Sequence, residues 1–165
     1  MSTIEILTRS YGFNRGRTLA TLGEIEKLPD PAAALAFRLG PGRAHIGWQL
    51  MHIGVTEELF ASERLAPEKP GKWTELWPRF RGGSTCDDDV PTVAAIRQVL
   101  DASRLRLLET LATYSDDRLG EIPPTLAQRK LTFLDVLHIL SWHESHHQGQ
   151  AHAMLNSFRG LQSST

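Results

Sequence analysis

The stretch Leu131–Phe158, LTFLDVLHILSWHESHHQGQAHAMLNSF, decides how the rest of the chain is read. Thr132, with Asp135 three residues later, resembles a capping box with Asp in the Glu position. No proline interrupts the stretch, so it predicts one long helix. Its apolar residues recur at helical spacing: Phe133, Leu137, Leu140, then Ala151, Met154 and Phe158. Continued through the middle, that stripe lands on Glu144 and His147, with His143 one position to the side. Imidazoles and a carboxylate stand where the stripe would otherwise bury leucine, and a metal ion is the commonest reason for such a substitution.

Outward from this helix, residues 3–28 predict a first helix carrying Ile4, Leu7, Tyr11, Leu19, Leu22 and Ile25 on one side, with a bend expected at Gly12 and Gly16. Pro29 and Pro31 end it, and residues 32–39 read as a short helical turn. A second long helix is expected over Arg43–Arg64, with His45, Gln49, His52, Thr56 and Leu59 on a shared face. Residues 65–89 form a long connection anchored by Trp73, Trp77 and Phe80. A third helix is expected from Pro91-Thr92 to about residue 114. Pro91 would take a favoured early position there, and Asp87, Asp88 and Asp89 would complement the positive helix end. Four long amphipathic helices without repeats or strand signals predict one all-α domain over residues 1–165, a four-helix bundle. The long loop between the second and third helices reads as a crossover rather than a hairpin.

Composition narrows the function classes. With 18 basic and 19 acidic residues spread along the chain, net charge is −1, and no nucleic-acid footprint or membrane patch stands out. Cys86 is the only cysteine, so no intrachain disulfide can form. The start MSTIEILTRS lacks the pattern of a signal peptide, and no apolar run approaches the roughly 20 residues a membrane helix needs. A cytoplasmic protein is expected.

Seven histidines remain to be placed. His143 and His147 are four apart, one turn along the same helix face, and can aim their ring nitrogens at one ion. A third ligand must come from another helix, and His52 is the best candidate because it sits mid-helix among apolar neighbours. His45 lies two turns earlier and cannot join the same ion alongside His52. Three imidazoles leave a coordination position open, the arrangement of a catalytic rather than a structural zinc site. His138, His146 and His152 are expected to be hydrogen-bonded or exposed. Glu144 is the candidate catalytic carboxylate, to orient a ligand or move a proton, although it is turned roughly 100° from His143 around the helix. Gln148 and Gln150 are expected around the site, and Gly149 where another helix approaches closely.

His143-Glu144-Ser145-His146-His147 also satisfies the H-E-x-x-H pattern of zinc metalloproteases. The residues after His147 contain no Asp or Glu for a third ligand, and Gly149 and His152 each fall one place too early for the longer form. No strand is expected beside the helix to align a peptide. Those points weigh against the protease reading.

GWQLMHIGVTEEL on the second helix, FRGG in the long loop and HESHHQGQ on the last helix together resemble the DinB superfamily. This is a group of metal-binding four-helix proteins that includes bacillithiol- and mycothiol-dependent transferases. The resemblance puts His52, His143 and His147 in the three metal-ligand positions. It further implies an up-up-down-down bundle, a homodimer, and zinc or nickel as the divalent ion. The implied activity is a metal-dependent transfer of a low-molecular-weight thiol to a small electrophile, or a related hydrolysis. The alternative is a non-catalytic, stress-associated module in which the ion is structural.

Overall fold

The computed structural model describes residues 1–163, and no strand occurs among them. Helix α1 (Thr3–Glu26) starts at a capping box in which the Ser2 hydroxyl accepts from the Glu5 amide and the Glu5 carboxylate accepts from the Ser2 amide. It runs through Gly12 and Gly16 as one unbroken helix, and both glycines are exposed. After the short α2 (Pro31–Ala36), helix α3 (Ile46–Leu59) begins at His45 and continues through a π-helical turn, Phe60–Arg64. The connection after it contains a 3₁₀ turn, Thr74–Leu76, that runs into α4 (Trp77–Phe80). Helix α5 (Val93–Leu111) is capped by Thr92, so Pro91 lies before the cap rather than inside the helix. The acidic run does not serve the helix end either: Asp87 and Asp89 pair with Arg79, and Asp88 with Arg38. A 3₁₀ turn, Pro124–Arg129, leads to α6 (Phe133–Gln162), whose Thr132–Asp135 capping box forms as expected.

The four long helices pack side by side, α3 against α5 and α6, and α1 against α5 and α6. Their directions are set by which residues meet. Along α1 and α6 the partners climb together, from Tyr11 with Leu137 through Thr18 with Glu144 to Glu24 with Arg159, so these helices are parallel. Along α3 and α5, Glu57 meets Ser103 and the Ala61 carbonyl meets Thr110, again parallel. Between α3 and α6 the order reverses: Gln49 meets His147, and His52 meets His143. In chain order the long helices therefore run up, down, down, up. This corrects the up-up-down-down order implied by the resemblance. The segment around α2 turns the chain straight back, and the long connection after α3 is the crossover that lets α5 run parallel to it.

The core falls into two apolar clusters. One gathers Leu22, Ile25, Leu50, Ile53, Leu100, Met154 and their neighbours; the other gathers Tyr11, Leu107, Phe133, Leu137 and Leu140. Each long helix contributes to both, α3 through its π-helical continuation, and between the two contributions each carries a buried polar residue: Arg15 on α1, Glu57 on α3, Ser103 on α5 and Glu144 on α6. A charged layer thus crosses the middle of the fold. The three-histidine cluster lies at the same level on α3 and α6.

Candidate metal centre

His52, His143 and His147 come together, each offering a ring nitrogen, and those nitrogens lie within 4.8 Å of one another. The Nε2 atoms of His52 and His143 are 3.0 Å apart. Ligands of a tetrahedral ion at metal–nitrogen distances of roughly 2.0–2.1 Å stand roughly 3.3 Å from each other, so this pair already has ligand spacing. Among the described residues this is the one group of three or more His, Cys, Asp or Glu side chains so arranged. His45 is elsewhere: its Nδ1 accepts from the Trp48 amide and caps α3.

Neighbouring groups fix which nitrogen two of the rings present. His52 Nδ1–H donates to the Phe80 carbonyl at 2.5 Å, with the Thr56 hydroxyl 3.3 Å away, leaving Nε2 for the shared point. His147 Nδ1–H donates to Gln49 Oε1 at 2.5 Å, which leaves its Nε2 in the same way. Such outer partners set tautomer and ring orientation and raise ligand basicity. Trp48 stacks on the His52 ring at 4.5 Å between centroids, and its indole N–H donates to the Arg79 carbonyl.

The FRGG segment has a physical role here. Phe80 is buried in the core, its carbonyl holds His52, and Arg81 and Gly82 line the cleft beside the triad. The loop is pinned from inside by Glu58, buried at 1 % exposure, whose carboxylate accepts from the Lys72 and Trp73 amides and the Trp77 indole. The chain passes so close here that a Cβ on Gly71 would sit 2.7 Å from the Trp77 ring and 3.1 Å from a Glu58 oxygen.

Electrostatics prepare the imidazoles for a cation. Burial, and then the neighbouring imidazoles, push His143 down to about 2 and His147 down to about 3 from the ordinary value near 6.5. Burial also lowers His52, opposed by its bond to the Phe80 carbonyl. All three are neutral at pH 7, as metal ligands must be. Imidazole donors suit several divalent transition-metal ions, and three of them make a donor set that leaves a coordination position open.

The triad borders a cleft of about 330 Å³, which it lines with Thr56, Leu59, Phe60, Arg64, Arg81, Gly82 and Arg129. Glu144 does not line it. One Glu144 oxygen accepts from Arg15 Nε and Thr18, the other from Arg104 Nη2. Glu57 completes this buried group with Arg15 at 2.7 Å and Arg104 at 2.7 Å. Burial opposes charge on Glu57, but the two guanidiniums outweigh it and hold its carboxyl below the usual range.

The expectations for Gln148, Gln150 and Gly149 are not met. Gln148 reaches back to Thr21, and Gln150 bonds His146, which stacks on the exposed Trp142; neither Gln touches the triad. Gly149 is exposed, with nothing within 4 Å of a Cβ built on it, so no helix approaches there. Sequence reasoning missed Arg15 and Arg104 entirely. The available signal was an arginine at helical spacing between Tyr11 and Leu22, on the face that otherwise buries apolar residues.

The sequence model of the DinB superfamily matches residues 11–151, a span that holds all three histidines. The chain belongs to the DinB superfamily. No curated protein and no solved structure matches it.

Proposed function

We propose that this chain is a metal-dependent enzyme built as a single four-helix bundle, holding zinc or nickel on His52, His143 and His147 and transferring a low-molecular-weight thiol to a small electrophile, or catalysing a related hydrolysis. The observation that carries the reading is the cleft: the triad is not sealed in the core but opens onto a space large enough for a small molecule. A bound divalent ion would supply Lewis acidity, favouring the deprotonated form of a thiol or water at the open position.

The protein's own groups do the rest. The Phe80 carbonyl and Gln49 hold His52 and His147 in the tautomer that faces the cleft. Trp48 backs His52 against rotation. Leu59 and Phe60 supply the apolar wall of the cleft, and the Thr56 hydroxyl lies against its inner side. Glu144 is a positioning residue. Its bonds to α1 and α5 fix the rotation of α6 and with it the aim of His143 and His147.

No helix among the described residues is long and apolar enough to cross a membrane. The test is turnover of a thiol with a small electrophile, and of model esters and amides, by zinc- or nickel-loaded protein against the chelated form. Metal-dependent turnover lost in His52→Ala supports the reading. Tight metal binding with no turnover, and a large loss of stability on chelation, would favour the module in which the ion only ties α3 to α6.

A further inference from the structure

The cleft beside the triad has a second chemical character, carried by residues that the metal reading leaves unused. Arg64, Arg81 and Arg129 line it, and no Asp or Glu does. They come from three separate segments: the π-helical end of α3, the FRGG part of the crossover, and the last residue of the 3₁₀ turn before α6. Three cations on one small wall are not what the composition dictates, because the chain has 19 acids against 18 bases.

Half-buried arginines elsewhere have acidic partners: Arg79 with Asp87 and Asp89, Arg97 with Glu26, Arg118 with Glu121, Arg159 with Glu24. Exposed arginines such as Arg9, Arg17 and Arg43 have no ion pair among the described residues, so what distinguishes the cleft arginines is their gathering on one wall beside the triad. The side chains of Arg81 and Arg129 have no hydrogen-bond or ion-pair partner among the described residues. Arg64 has only its neighbour Glu63, a half-exposed pair at 2.9 Å. The three imidazoles bring no negative charge, and a divalent ion on them would leave the cleft more positive still.

We propose that Arg81 and Arg129, with Arg64 beside them, form an anion-binding subsite that takes a carboxylate or phosphate group of the substrate next to the three-histidine centre. Guanidinium groups suit this task, since each presents a planar fork to two oxygens of a carboxylate or phosphate. A cleft lined by one sign of charge also concentrates ligands of the opposite sign. The subsite selects substrates with an anionic group attached to a small reactive part, the reactive part at the triad and the anion at the arginines. This deepens the proposed function and rests on it for the word substrate, but the subsite itself belongs to this chain's own side chains.

The experiment is calorimetric titration of succinate and inorganic phosphate into metal-free and zinc-loaded protein, wild type beside Arg81→Gln/Arg129→Gln. The expected result is binding to wild type in both metal states that weakens tenfold or more in the double variant, with thermal midpoint and zinc content unchanged. No binding to the metal-free wild type, or equal binding by the double variant, overturns the subsite. Failure of the protein to take up zinc would count against the metal reading alone, because the metal-free titration reads the arginines without it. To learn which reactant carries the anion, the zinc-loaded protein is titrated with 3-mercaptopropionate against 2-mercaptoethanol, and with fumarate against fumaramide. A preference for the charged member that collapses in the double variant assigns the anion to the thiol or to the electrophile, according to the pair. Collapse in neither pair overturns the proposal.

Discussion

Arg15 of α1 and Glu144 of α6 meet at 2.7 Å in the middle of the fold, with side chains 7 % and 6 % exposed. Arg104 closes on the same carboxylate, and Glu57 bridges both guanidiniums. A buried pair is weak evidence for stability, but removing one member strands a charge. Arg15→Met is expected to cost roughly 3–5 kcal/mol, because it leaves Glu57 and Glu144 with one guanidinium between them. Urea unfolding measures this. A change below about 1 kcal/mol would show that water already reaches the cluster.

Gln49 is expected to matter for metal and not for folding. Gln49→Met removes the acceptor of His147 Nδ1–H, freeing the ring to rotate. Loss of such an outer partner typically costs 10–100-fold in affinity. Competition with a chromophoric chelator should show weaker zinc binding, with the urea midpoint of the metal-free protein close to wild type. Unchanged affinity would mean that helix packing alone holds the ring.

Acid should unfold the metal-free protein earlier than its carboxylates require. His52, His143 and His147 titrate lower in the fold than the ordinary value near 6.5, chiefly through burial. Between the folded and unfolded values the unfolded chain binds protons that the fold refuses. Stability is therefore complete above about pH 6.5 and falls as pH drops below it. For His143 the slope approaches roughly 1.4 kcal/mol per pH unit. Urea midpoints at pH 7 and pH 5 bracket the effect above the range where carboxylates protonate, and His143→Leu should flatten the decline. A midpoint that does not move over this range would contradict the burial of these rings.

Glu58 holds the crossover. Glu58→Ala leaves the Lys72 and Trp73 amides and the Trp77 indole without their acceptor, at a cost of about 1–3 kcal/mol for a buried group left unsatisfied. Tryptophan fluorescence should shift, protease cleavage within residues 65–92 should accelerate, and zinc should bind less tightly as the Phe80 carbonyl loses its seat. Cleavage at the wild-type rate would show that Phe80 packing alone secures the loop.

The triad was legible in the sequence because helical spacing converts directly into geometry: His143 and His147 had to share a face, and the mid-helix His52 was the best candidate to join them from another helix. The caps at Thr132 and the aromatic anchors of the crossover were legible for the same local reason. Helix direction was not, since a long connection is compatible with more than one topology, and only cross-helix partners such as Thr18 with Glu144 reveal the order. Glu144 shows the limit of stripe reasoning. Its burial was visible, but its partners Arg15 and Arg104 lie on helices far away in sequence, so a carboxylate next to a ligand looked catalytic. Gly149 likewise looked like a packing glycine, although open space surrounds it. Gly149→Ala should therefore stabilise α6 by up to about 1 kcal/mol.

The central claim is that His52, His143 and His147 hold one ion, and metal content tests it most directly. Protein purified without a metal-affinity tag should carry about one zinc or nickel per chain by elemental analysis, and the His147→Ala variant, folded by circular dichroism, should carry almost none. Equal metal in both proteins would place the ion elsewhere. Metal in neither, even after incubation with zinc or nickel at neutral pH, would contradict the site and the function built on it.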